Sequence, residues 1–125
     1  MRDPARLLCR LDRLPPGGCC EFRIGAGDWP LRGFVVRVPD GVRAYLNRCA
    51  HLHYPLNDLP DEFLTYDRRF IQCRMHGACF EKDTGLCISG PCLGRSLVAL
   101  PVCVDGQDVW LADEADIAAL AERYA

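Results

Sequence analysis

Cys49-Ala50-His51 and Cys73-Arg74-Met75-His76-Gly77 are the two stretches around which this chain is organised. Each sets one thiol and one imidazole a residue or two apart, and together they offer four metal bonds. A one-residue gap on extended backbone sends Cys49 and His51 to the same side. The wider gap between Cys73 and His76 needs a tight bend, and Gly77 lets backbone come close to a ligand. A thiol arm is short and an imidazole long. The natural arrangement therefore puts the two Cys on an inner metal and the two His on an outer one, which favours two metals over one. Two other readings stay open: a structural Cys₂His₂ zinc site, or core cysteines with surface histidines. Zinc sites more often use C-x-x-C and H-x-x-x-H units than two mixed pairs.

Outward from the pairs, the chain reads as β-rich. Residues 7–11 and 19–24 suggest strands, separated by the turn signal Pro15-Pro16-Gly17-Gly18. Residues 32–38 and 42–47 predict a hairpin through Pro39-Asp40-Gly41, and its second strand runs into Cys49. Residues 48–69 read as a long polar loop with one helical turn near 61–64. Residues 70–72 form a short strand ending at Cys73. Further short strands are expected at 78–81 and 86–88, then a closing hairpin of 97–104 and 108–111. The tail, 113–124, reads as a helix capped by Asp113, with Ile117, Leu120, Ala121 and Tyr124 on one face.

The bulk properties set the limits. A chain of 125 residues predicts one domain with one modest core. A net charge of −2 argues against a nucleic-acid binder. No apolar run is long enough to span a membrane, and the N-terminus lacks the apolar centre of a secretory signal. The expectation is a cytoplasmic protein. Nine cysteines, an odd number at irregular spacing, do not read as a disulfide framework. Metal ligation and small apolar packing are the likelier uses in a reducing compartment. Cys87 and Cys92 read as a redox pair or as core packing, with packing preferred because Cys87 lies in a strand-like segment. Cys9, Cys19, Cys20, Cys79 and Cys103 read as structural. His53 reads as a loop residue, and Arg68, Arg69 and Arg74 as a solvated charged face or a steering patch.

One Cys and one His in each of two loops, with Gly77 after the last His, resembles the Rieske family of iron–sulfur proteins. His76-Gly77-Ala78-Cys79-Phe80 followed by Thr84-Gly85 is similar to the segment after that family's second loop, and Gly90-Pro91 to its covering proline loop. The resemblance covers about residues 7–112. It implies an all-β fold of antiparallel sheets with a small cluster-binding subdomain at about 46–94, and a C-terminal helix at 113–125 packed on the domain of residues 1–112. It also implies one [2Fe-2S] cluster per chain, with Cys49 and Cys73 on the inner iron and His51 and His76 on the outer iron.

The chain departs from the family in ways that bear on function. The 21 residues between His51 and Cys73 exceed what compact members have, and predict a flap or partner-contact loop. Tyr54 and Met75 stand where respiratory members carry a loop disulfide, and Ala78 and Phe80 where those members place hydroxyls bonded to the cluster. Two thiolates and two neutral imidazoles make the oxidised site near neutral. Without hydroxyl bonds its potential is expected in the lower part of a range of roughly −150 to +300 mV.

The resemblance thus implies a one-electron carrier of ferredoxin type, not an enzyme by itself. It would pass electrons between a flavin-dependent reductase and an oxygenase or other terminal reductase, with no nucleic-acid or membrane partner. A catalytic 2-His-1-carboxylate iron site would need two further histidines, and only His53 remains. The residues expected to meet partners are His53, Tyr54, Leu56, Met75, Pro91 and Leu93. The competing readings are a small subunit of a nitrite-reductase-like enzyme, a structural zinc module, and a redox sensor using the free cysteines.

Overall fold

A computed structural model describes residues 4–14, 18–25, 31–50, 55–57, 61–75 and 77–124. Among them the strands run, in chain order, β1 Leu7–Arg10, β2 Cys19–Ile24, β3 Leu31–Val38, β4 Gly41–Leu46, β5 Ile71–Gln72, β6 Cys79–Phe80, β7 Cys87–Ser89, β8 Ala99–Leu100, β9 Val102–Asp105 and β10 Asp108–Leu111. One α-helix, α1, closes the chain at Ile117–Tyr124. The strands form three antiparallel sheets, ordered β1-β10-β9, β2-β3-β4-β8 and β5-β6-β7.

The central sheet is built on the predicted hairpin. β3 and β4 pair from Val38 opposite Gly41 to Gly33 opposite Leu46. Side chains alternate across a strand, and here both faces are apolar. Phe22, Ile24, Leu31, Val35, Val42, Ala44 and Leu46 face one core, shared with Leu8 and Cys9 of β1 and Val109 and Leu111 of β10. Phe34, Val36 and Tyr45 face the opposite way, into a second core with Cys49, Leu56, Phe63, Ile71, Cys73, Phe80 and Cys87. The register makes this consistent: Cys20, Val35 and Ala44 line up across three strands, as do Glu21, Phe34 and Tyr45. The sheet is thus a wall between two cores.

The expected strand at 97–104 is two short strands, because Pro101 cannot donate to a ladder and the chain changes sheets there. The helix begins later than expected. Asp116, not Asp113, caps it, its carboxylate accepting a hydrogen bond from Ala119 N at 3.1 Å. Ile117 and Leu120 pack on the first core as anticipated.

The largest difference lies in the long loop. The expected helical turn near 61–64 is absent. Asp61 takes a positive φ of 63°, and Leu64 bridges Ile71 antiparallel. Where a flap or partner-contact loop was expected, some of the described residues turn inward. Leu56 and Phe63 are fully buried, and Phe63 stacks on Phe34 with ring centroids 4.2 Å apart. Two apolar anchors in an otherwise polar stretch fold it into the second core.

Candidate metal centre

The first of the two loops leaves β4 at Leu46, and the second leaves β5 at Gln72. Cys49 and Cys73 follow within a few residues, are 3% and 1% exposed, and lie in the same core, neither in a disulfide. The second loop is closed on itself: Cys73 N donates to Ala78 O at 2.9 Å and Gly77 N to Cys73 O at 3.0 Å. The loops are also tied together, Arg74 N donating to Leu56 O at 2.8 Å. His51 and His76 lie outside the described residues, as do His53 and Tyr54. The structure therefore brings the two thiols into one core and describes neither imidazole partner.

A third loop packs against these two. Gly90 has φ +106°, and a Cβ there would lie 2.8 Å from Ala78 Cα, so only glycine permits this approach. Leu93 N donates to Gly90 O at 3.3 Å and Arg95 N to Cys92 O at 2.9 Å, folding the loop tightly. Ala78 and Phe80 are fully buried and carry no hydroxyl. Tyr45 is also buried in this core, but its hydroxyl donates to Lys82 O at 2.8 Å.

Cys9, Cys19, Cys20, Cys87 and Cys92 pack in or against the two cores. Cys87 and Cys92 are both 1% exposed, with sulfurs 3.2 Å apart. Burial and the Cys87 contact push the Cys92 thiol up to about 12, so it stays protonated at neutral pH and is a poor metal ligand. Burial raises Cys19 to about 11, and its thiol donates to Asp61 O at 3.1 Å. Cys9 and Cys20 hydrogen-bond to each other between β1 and β2, and that contact raises Cys9.

Met75, Pro91 and Leu93 are exposed beside the thiols, as expected of contact residues. Leu56 is not; it is fully buried and belongs to the core. Arg74 is less a steering charge than a tie, its guanidinium donating to Leu64 O at 3.0 Å. Arg69 lies 5.7 Å over the Phe70 ring. An open, charged hollow of about 480 Å³, lined by Asp40, Arg69, Glu81, Lys82 and Asp83 among others, draws on neither Cys49 nor Cys73.

The residue missed in the sequence is Asn47. It is the buried polar side chain among the described residues. Its Oδ1 accepts from Leu56 N at 2.7 Å, and its Nδ2 donates to Asn57 Oδ1 at 2.8 Å. An amide directly after the run Ala44-Tyr45-Leu46, two residues before Cys49, was the available signal.

Two buried cysteines outside any disulfide, on neighbouring strand-borne loops and beside a third loop that leaves no space for a side chain at Gly90, suit an iron–sulfur cluster held at one end by thiolates. Comparison with known proteins agrees. Residues 7–114 match the Rieske [2Fe-2S] domain, and the chain belongs to that family. Its cofactor is one [2Fe-2S] cluster per chain. Among solved structures, the chain is similar to the ferredoxin of carbazole 1,9a-dioxygenase from Nocardioides aromaticivorans IC177, with 29% identity and a TM-score of 0.64 over 86% of this chain and 94% of that one. It is also similar to a chain in a complex of reduced oxygenase and oxidized ferredoxin in carbazole 1,9a-dioxygenase, with 26% identity and a TM-score of 0.62 over 88% and 94%. The terminal oxygenase of carbazole 1,9a-dioxygenase from Novosphingobium sp. KA1 shares the fold at 18% identity and a TM-score of 0.67, over 91% of this chain and 33% of that one. A search of curated proteins gives no match.

Proposed function

We propose that this protein is a ferredoxin-type one-electron carrier, with Cys49 and Cys73 holding the inner iron and His51 and His76 the outer iron of its cluster. The observation that carries the reading is the burial of Cys49 and Cys73 in one core, outside any disulfide, on loops joined by the Arg74–Leu56 hydrogen bond. When bound, such a cluster accepts and releases one electron. The chain's own part is to seat it. The two thiols sit deep, while Met75, Pro91 and Leu93 present an exposed apolar rim to a docking protein. The match to ferredoxins along nearly their whole length supports the carrier reading. The partners under this reading are a terminal oxygenase and a flavin-dependent reductase. The same reading takes residues 46–94 as the cluster-binding part of a domain spanning 1–112, residues 113–125 as its helical addition, and the cytoplasm as its location. Among the described residues no helix is long and apolar enough to cross a membrane.

Electron paramagnetic resonance of the reduced protein is the test. A rhombic signal with two histidine nitrogen couplings is expected. His51→Ala and His76→Ala should each abolish it, and His53→Ala should leave it intact. Retention of the signal in either of the first two variants would overturn the ligand assignment. Buried Ala78 and Phe80 offer no hydroxyl, so titration should place the potential low in the family range of roughly −150 to +300 mV.

A further inference from the structure

We infer that Asn47 is a positioning residue that sets the separation of the two ligand loops, and so the geometry and retention of the cluster. The inference rests on the ligand set proposed above. Its basis is a continuous run of hydrogen bonds. The backbone of Asn47 is fixed to the central sheet, its N–H donating to Arg32 O at 2.9 Å. From that anchor the side chain reaches across the first loop. Its Oδ1 takes the Leu56 N–H at 2.7 Å and its Nδ2 meets Asn57 Oδ1 at 2.8 Å, so one amide clasps both ends of the segment carrying Cys49 and His51.

Leu56 also accepts from Arg74 N at 2.8 Å through its carbonyl. Arg74 is the residue directly after Cys73. A single residue therefore joins the clasp of the first loop to the backbone of the second. The far end is braced as well. Asn57 Nδ2 donates to Glu21 Oε2 at 2.8 Å, and Glu21 Oε1 accepts from Arg32 at 2.9 Å, which returns the network to the strand it started from. This is a closed ring through β2, β3, the end of β4 and the first loop. Asn47 is 6% exposed, so its hydrogen bonds have little water to replace them. A buried amide whose two described side-chain bonds go to loop backbone and loop side chain fixes position more than it adds bulk stability.

Three variants test this in the cluster-loaded protein: Asn47→Leu, Asn47→Asp and Asn57→Ala. Tyr45→Phe is the control, because it removes a 2.8 Å hydrogen bond from the same strand and core without touching the clasp. Readouts are the g-values of the reduced signal, the midpoint potential, the rate of bleaching under a chelator, and the thermal midpoint. Asn47→Leu is expected to shift the g-values and potential and to bleach about tenfold faster, the scale of one lost hydrogen bond to a buried group. Asn47→Asp keeps the acceptor for Leu56 N–H and should recover most of the wild-type g-values and retention. Asn57→Ala should lie between wild type and Asn47→Leu, and stays informative if the latter fails to fold. Tyr45→Phe should lower the thermal midpoint and leave the signal unchanged. The inference is overturned if Asn47→Leu and Asn57→Ala lose only thermal stability, as the control does. Absence of histidine couplings in the wild type would instead refute the ligand set.

Discussion

Gly90 sits where two constraints meet. Its φ of +106° disfavours any side chain, and a Cβ would press on the Ala78 backbone at 2.8 Å. Gly94, in the same loop, has φ +87° but open space around it. Gly94→Ala therefore reports backbone strain alone, about 1–3 kcal/mol. Gly90→Ala adds a clash that can be relieved only by moving the covering loop or the second ligand loop. It is expected to destabilise more in urea melts and, unlike Gly94→Ala, to speed loss of visible absorbance. Equal effects of the two would show that the contact with Ala78 carries no weight. The sequence motif Gly90-Pro91 marked this loop by resemblance, but the reason for the glycine is a neighbour twelve residues earlier, which no local pattern reveals.

At the level of elements, strands were legible and the loop between the ligands was not. β2, β3 and β4 announce themselves by β-branched residues and a turn sequence between them. The segment from 55 to 72 carries acids, arginines and prolines, which hid the fact that Leu56 and Phe63 go inward. Phe63→Ala should cost about 3–5 kcal/mol, as for a large core aromatic. A solvated flap would lose almost nothing, so chemical denaturation separates the two. This segment is also held to β2 by charge. Glu21 N donates a hydrogen bond to Asp61 Oδ1 at 2.7 Å, and the Glu21 carboxylate accepts bonds from Arg32 and Asn57. Burial works against ionisation of Glu21, but the Arg32 and Asn57 bonds outweigh it and hold its pKa below the ordinary 4.5. A depressed pKa means the stabilisation is present above the ordinary value and lost as pH falls through the lowered one. The advantage of wild type over Glu21→Gln in thermal midpoint should therefore shrink below about pH 4.5. A difference independent of pH would show that the charge contributes nothing.

Across the whole molecule, the central sheet divides two cores that depend differently on the cofactor. The first core joins the β1-β10-β9 sheet to one face and is made of ordinary aliphatic packing. The second contains Cys49 and Cys73, and its own strands β5, β6 and β7 are only two or three residues long. Such short strands gain little from their ladders, so this half leans on Phe34, Phe63, Phe80 and on whatever its thiols bind. Metal binding contributes directly to the folding energy of the site that holds it. Stripping the iron should then open the second core while the first stays closed, since local unfolding follows units that share contacts. Amide exchange after chelation should show protection lost at Ile71, Cys73, Phe80 and Cys87. It should persist at Cys9 and Val109, and at the β3 and β4 amides that bond across the central sheet. Uniform loss would mean that the two cores fold as one unit through the shared strands. Protection retained everywhere would mean that the aromatic packing suffices without the cluster. The sequence carried the ligands but not this division, because it arises from the two faces of β3 and β4 both being apolar, and only the register shows which face each residue takes.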